Sequence, residues 1–114
     1  MGALRLIGDD ERRARLASRH RLSPGAAAES VAEVARSLVA LHSSDPVTVY
    51  LSAVRRLRSP SVAAVESALY DDRSVVRHHA MRRTLWVTTP EMAPVLHAAS
   101  TRALVGPDRR RTAQ

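Results

Sequence analysis

Apolar positions recur at helical spacing through three stretches of the chain and at strand spacing in a fourth. Between Ala26 and Leu41 the residues Val31, Val34, Leu38 and Leu41 form a stripe that predicts an amphipathic helix, entered through the breaker Ser23-Pro24-Gly25. His42-Ser43-Ser44-Asp45-Pro46 interrupts it, with Asp45 placed as an N-cap and Pro46 as a first-turn proline. A second helix is predicted from there, with Val47, Tyr50, Leu51, Val54 and Leu57 as its apolar face and Arg55, Arg56 and Arg58 near its end. Ser59-Pro60 repeats the cap-and-proline signal ahead of a third, short helix on Val62, Val65 and Leu69, ending near Tyr70. His42 reads here as a helix C-terminal residue, and Ser43 and Ser44 as loop.

From Arg73 to Thr89 the stripe disappears and β-branched and aromatic residues take over, in Val75-Val76 and Leu85-Trp86-Val87-Thr88. Two short strands joined around His79 to Arg82 are predicted. A last helix is expected from Thr89-Pro90-Glu91 through Met92, Val95, Leu96 and Ala99, running down before Gly106. At the other end, Asp9 to Leu22 places acids first and Arg after, with few apolar positions, as in a short surface helix. The organisation expected is a tail over 1–8, a domain over 9–104 and a truncated segment over 105–114. The fold class is mainly α with a small β-ribbon, in the order of a winged helix, where a helix enters the major groove and the hairpin touches the backbone.

Composition changes this picture in two ways. With one Trp, two Tyr and no Phe, the core has to be assembled from Leu, Val and Ala, each buried aliphatic side chain contributing roughly 1.5–3 kcal/mol and Ala less. A net charge of +7, with every basic residue an Arg, points first to nucleic acid and second to an anionic membrane or acidic partner, because the guanidinium fork grips phosphate in a bidentate manner. The same Arg, Ala and Val bias also fits a GC-rich coding sequence. Without Cys there are no disulfides or thiolate metal sites, and no apolar run is long enough for a signal peptide or membrane span, so the default location is cytoplasmic.

The segment between Arg73 and Thr89 contains no acid and carries Arg73, Arg77, Arg82, Arg83, His78 and His79, which makes it the candidate phosphate-contacting surface. Internal pairing of Arg73 or Arg77 with Glu66, Asp71 or Asp72 is the competing reading. Trp86 offers a face for stacking an extruded base, although a Trp in a Leu-Trp-Val strand is more often core. His78 and His79 point to opposite faces of a strand and no further ligand completes a metal site; no cofactor motif is present. Arg109-Arg110-Arg111 reads as a solvated helix start.

The stretches LVALHSSDPVTVYLSAVRRL at 38–57 and VAAVESALYDDRSVVRHHAMRRTLWVTTPEM at 62–92 carry a resemblance. They are similar to the opening part of the winged helix DNA-binding domain-containing protein family of AlkZ/YcaQ DNA glycosylase type, with matches at Ala68, Leu69, Asp72, Arg73, Ser74, Val76, Arg77, Met81, Arg82, Thr84, Leu85 and Val87. The resemblance spans about residues 10–111 and implies the N-terminal portion of a longer, multi-winged-helix architecture. It further implies double-stranded DNA as partner. In the glycosylase branch a Gln-x-Gln or Gln-x-Asp motif positions a water near the sugar of an alkylated purine; His42 and Ser44 stand at those positions here and are the candidate catalytic pair. The expected function is a winged-helix domain that contacts the DNA backbone through an Arg-rich ribbon; the alternatives are a lesion-specific glycosylase fragment and a non-functional remnant of one.

Overall fold

The computed structural model describes residues 2–113. Its N-terminal helix α1 (Asp9–Arg19) has Asp9, Asp10 and Glu11 in the first turn, Arg19 in the last and no buried residue. Ion pairs along its surface, such as Arg15 to Glu11 at 2.8 Å, complement that charge order but are exposed, where such pairs contribute at most about 1 kcal/mol. The surface helix read from the sequence therefore exists, ending at Arg19 where Leu22 was expected.

Helix α2 begins at Val31, later than the predicted Ala26, and ends at Leu38. Its start is set by Ser30, whose hydroxyl accepts from the Glu33 N–H while a Glu33 carboxylate oxygen accepts from Glu29 N–H, a reciprocal capping arrangement that the residues upstream cannot make. Val39 then adopts φ 72°, a left-handed conformation rare for a β-branched residue, and the chain turns out of the helix. Leu41 and His42 consequently form strand β1 (Leu41–His42) and not the end of a helix. This corrects the placement of His42 at a helix C-terminus.

Asp45 does cap helix α3 (Pro46–Arg56), accepting from Val47 N–H at 3.0 Å, with Pro46 in the first turn. The inward face of α3 keeps Tyr50, Val54 and Leu57 of the expected stripe but is centred on other residues. Val49 and Ala53 point inward and Leu57 is buried just past the end, while Val47 and Leu51 are exposed. Helix α4 (Val62–Glu66) is capped by Ser61, not by Ser59, and runs on as a π-helical turn (Ser67–Asp71) that carries it past Tyr70.

Strands β2 (Val76–His79) and β3 (Leu85–Thr88) are the predicted ribbon. They pair antiparallel with Arg77 opposite Val87 and His78 opposite Trp86, and β1 adds to the far side of β3 with Leu41 opposite Val87 and His42 opposite Trp86. The sheet order is β1-β3-β2. The last helix starts as α5 (Ala93–Leu96), passes through a π-helical turn (His97–Thr101) and continues as α6 (Arg102–Thr112). It does not stop before Gly106: Gly106 and Pro107 lie inside α6, and Arg109, Arg110 and Arg111 occupy its last turn, where cations are favoured, instead of opening a new helix.

The core packs α2, α3 and α4 against one face of the sheet through Val31, Val34, Ala35, Leu41, Val49, Val65, Val75 and Val87. A smaller cluster of Ala40, Ala80 and Leu96, with Trp86 and Met92 packed on it, joins the other face to α5. Helix α2, strand β1, helices α3 and α4, and the β2-β3 hairpin follow the order of a winged-helix-like fold, mainly helical with a small antiparallel sheet, as expected from the sequence. No helix among the described residues is long and apolar enough to cross a membrane.

Candidate functional site

The hairpin turn between β2 and β3 stands where a winged-helix-like fold carries its wing, and is called the wing below. Its tip is a tight turn (Met81–Arg83) in which Arg82 has φ 55° and Arg83 φ 56°, two consecutive left-handed residues without a glycine. Each such residue costs about 1–2 kcal/mol. The turn holds because Ala80 N–H donates to Thr84 O at 2.9 Å and Thr84 N–H donates to Met81 O at 3.2 Å. Arg73, at the opposite end of β2, is also left-handed, with φ 52°.

The predicted basic residues separate into three groups. Arg73, Arg77 and Arg82 are exposed, and among the described residues they make no ion pair or side-chain hydrogen bond. Of the anticipated internal partners, Asp72 is engaged otherwise: its carboxylate oxygen accepts from Ser74 N–H at 2.9 Å, closing the turn that leads into β2. Arg83 is paired with Asp108 of α6 at 3.2 Å, which ties the wing to the last helix. The histidines lie elsewhere. His78 faces α5 and the following turn, with its ring 5.5 Å from that of His97 and its buried Nε2 unpartnered. His79 accepts at its carbonyl from the Thr101 hydroxyl, and it borders a groove of about 490 Å³ lined also by Val105, Asp108 and Arg109.

Burial, and after it the neighbouring His97 and His79, hold His78 below the ordinary imidazole pKa of 6.5, so the fold favours its neutral form. The unfolded chain therefore takes up this proton first as pH falls. Stability carried by neutral His78 is full above about pH 6.5 and is lost as pH falls through the lower folded value. Thermal melts of the parent are expected to drop over that acid window, and those of His78→Phe, which keeps a ring against His97, to drop less. Identical pH dependence in the two proteins would refute the role of His78.

The segment 42–44 is fastened to β3. Ser43 N–H donates to Leu85 O at 2.8 Å, and Leu85 N–H donates to the Ser44 hydroxyl at 3.4 Å. Alternation along the extended chain leaves His42 and Ser44 exposed, whereas Ser43 between them is buried with its hydroxyl unpartnered. His42 meets Trp86 edge to face, with ring centroids 5.0 Å apart and planes at 71°. Trp86 is half-buried, and its indole N–H donates to the Thr84 hydroxyl at 2.8 Å. Sequence reading treated Trp86 and His42 separately; their pairing depends on the β1-β3 register and had no local signal.

The helix that precedes the wing has an electrostatic character opposite to it. From Val62 to Asp71 it contains no Arg or His, and its exposed residues include Ala63, Ala64, Glu66, Tyr70 and Asp71. Of these two elements, the hairpin carries the exposed positive charge and the helix the exposed negative charge.

The sequence matches the family model of DNA glycosylase AlkZ-like proteins over residues 35–114, from α2 to the C-terminus, a span that takes in the whole sheet, the 42–44 segment, the wing and α6. No curated protein and no solved structure matches it. The chain belongs to the AlkZ-like DNA glycosylase family.

Proposed function

We propose that this chain is a DNA-binding winged-helix unit that grips the duplex backbone with its wing and β2 edge, through Arg73, Arg77 and Arg82. The observation that carries this reading is the presence around one hairpin of three exposed guanidinium groups that have no carboxylate partner among the described residues, in a family whose named activity is on DNA. Guanidinium groups left unpaired by the fold are free to replace the counterions condensed on phosphate, and each one engaged adds to the salt dependence of binding. Major-groove insertion of the preceding helix fits poorly, because Glu66 and Asp71 would face phosphate with like charge. Arg83 contributes less to the contact while Asp108 holds it. Binding to a short duplex over a salt series tests the proposal: log affinity is expected to fall linearly with log salt, and affinity indifferent to salt would overturn it.

A second reading, lesion-specific base excision, is favoured by the exposure of His42 and its contact with Trp86 at the segment that resembles the catalytic motif of the glycosylase branch. In this reading the imidazole accepts a proton from the attacking water, and Ser44 supplies only a hydroxyl where other members carry an amide or carboxylate. Incubation with an alkylated duplex followed by detection of abasic sites decides it. Product formation that is abolished in His42→Ala supports the reading; an unchanged rate in that variant removes His42 from the chemistry.

A further inference from the structure

The wing and the 42–44 segment are joined by a short chain of contacts that runs through one side chain. Strand register puts His42, Trp86 and His78 in one row across the sheet, on the face away from the main core. Trp86 stands in the middle of that row, its ring edge-to-face with the exposed imidazole of His42. Its body rests on the cluster of Ala40, Ala80 and Leu96, against which Met92 also packs. Apolar packing of this kind sets the ring's depth but not its rotation.

The rotation is set from the wing. The indole N–H has an acceptor in the Thr84 hydroxyl at 2.8 Å and lies 3.4 Å from the Met81 carbonyl. Thr84 spends its own hydroxyl proton on Met81 O at 2.7 Å, so one hydroxyl donates to the turn and accepts from the tryptophan. Both partners of the indole therefore belong to the turn that contains the left-handed Arg82 and Arg83. Such a turn stores conformational energy, and a phosphate engaging Arg82 acts on an element held away from its local minimum.

We propose that Trp86 is a positioning residue for His42, coupling the conformation of the wing turn to the orientation of the imidazole. The free-protein coupling stands on the geometry above; its use when DNA is bound rests on the proposed wing contact. Thr84 is the lever, Trp86 the transmitting ring and His42 the reporter. A purely structural tryptophan would stabilise the sheet without making His42 responsive to the wing.

The experiment is proton-carbon NMR of the whole chain, reading the imidazole resonances of His42, assigned by their loss in His42→Gln, together with the Trp86 indole N–H. An aromatic ring seen edge-on or face-on displaces its neighbour's protons differently, so His42 reports the rotation of Trp86. In the free protein, Thr84→Val removes the nearer of the indole's two acceptors and leaves only the Met81 carbonyl at 3.4 Å, while the Thr84 hydroxyl itself bonds to Met81 and Trp86 and not to His42. The His42 and indole resonances are expected to move together in Thr84→Val and to return in Thr84→Ser, which restores the hydroxyl. His42 resonances unmoved by Thr84→Val would overturn the proposal whether or not DNA binds.

Addition of a short duplex gives the second comparison. It is expected to shift His42 in the parent and to shift it less in Thr84→Val at matched saturation. Equal shifts in both would mean that His42 senses the duplex directly, which also overturns the coupling on DNA. A chain that does not bind the duplex at all removes the wing-contact reading, while the free-protein comparison still decides the coupling.

Discussion

Leu41→Ala is expected to destabilise the domain by about 2–5 kcal/mol, a loss comparable with the whole stability of a marginal fold, for which about 5–15 kcal/mol is typical. Leu41 is only 3% exposed and sits opposite Val87 at the centre of the core. Its strand is two residues long, so little backbone pairing would remain to hold β1 if the side chain no longer filled its place. The buried core around it is mostly Val and Ala, without a fully buried aromatic ring, and stiff β-branched neighbours close a cavity poorly. Urea unfolding should show a lower midpoint at unchanged slope. Leu51→Ala provides the contrast: 67% exposed, it should change stability by no more than about 0.5 kcal/mol. Equal losses in the two variants would mean that the described core is wrong.

Replacing Arg73, Arg77 and Arg82 together by Ala is expected to flatten the salt dependence of duplex binding. Each phosphate contact contributes about 0.9 to the slope of log affinity against log salt, so three lost contacts should lower it by roughly 2.7. Arg36→Ala is the single-charge control: it removes one positive charge where the triple variant removes three, and takes it from a guanidinium held 3.1 Å from Glu91. Its slope should stay close to the parent's. A triple variant that binds with the parent's salt slope would show that the phosphate grip lies outside the wing.

Elements governed by neighbours in the chain were legible. Asp45-Pro46 specifies the start of α3 because a carboxylate acceptor and a proline lacking an N–H each suit their positions in any helix. The hairpin is legible because Val76 and the Leu85-Trp86-Val87-Thr88 run favour extended backbone. Other features depended on competition between alternatives. Leu41 continues the helical stripe of Val31, Val34 and Leu38, yet the left-handed Val39 takes it into the sheet, where it reaches the same core by another route. On α3 the larger Val47 and Leu51 drew the predicted face, whereas the buried side is the one with Ala53, whose small size lets helices approach closely. Gly106-Pro107 reads as a stop, but α6 continues through it.

The candidate site divides in the same way. Its residue types were visible: the Arg-rich acid-free ribbon, His42 and Ser44 ahead of Asp45-Pro46, and the single Trp. Their relations were not. Which guanidinium groups stay unpaired was decided when Asp72 closed its own turn and Asp108 came across from α6 to Arg83. Alternation of β2 puts His78 on the face toward His97 and Arg77 on the face of Val87 and Leu41, and Arg77 stays exposed there on an edge strand, which no local signal foretold.

By itself, then, the sequence determined the capped start of α3, the extended hairpin and the excess of guanidinium charge, since these depend on side-chain chemistry and the conformations of a few adjacent residues. Only the tertiary structure decided that β1 exists, that His42 lies against Trp86 and that Arg83 is held while Arg73, Arg77 and Arg82 are left unpaired. These are contacts between residues far apart in the chain, and their free energy is realised only when sheet register and helix packing form together.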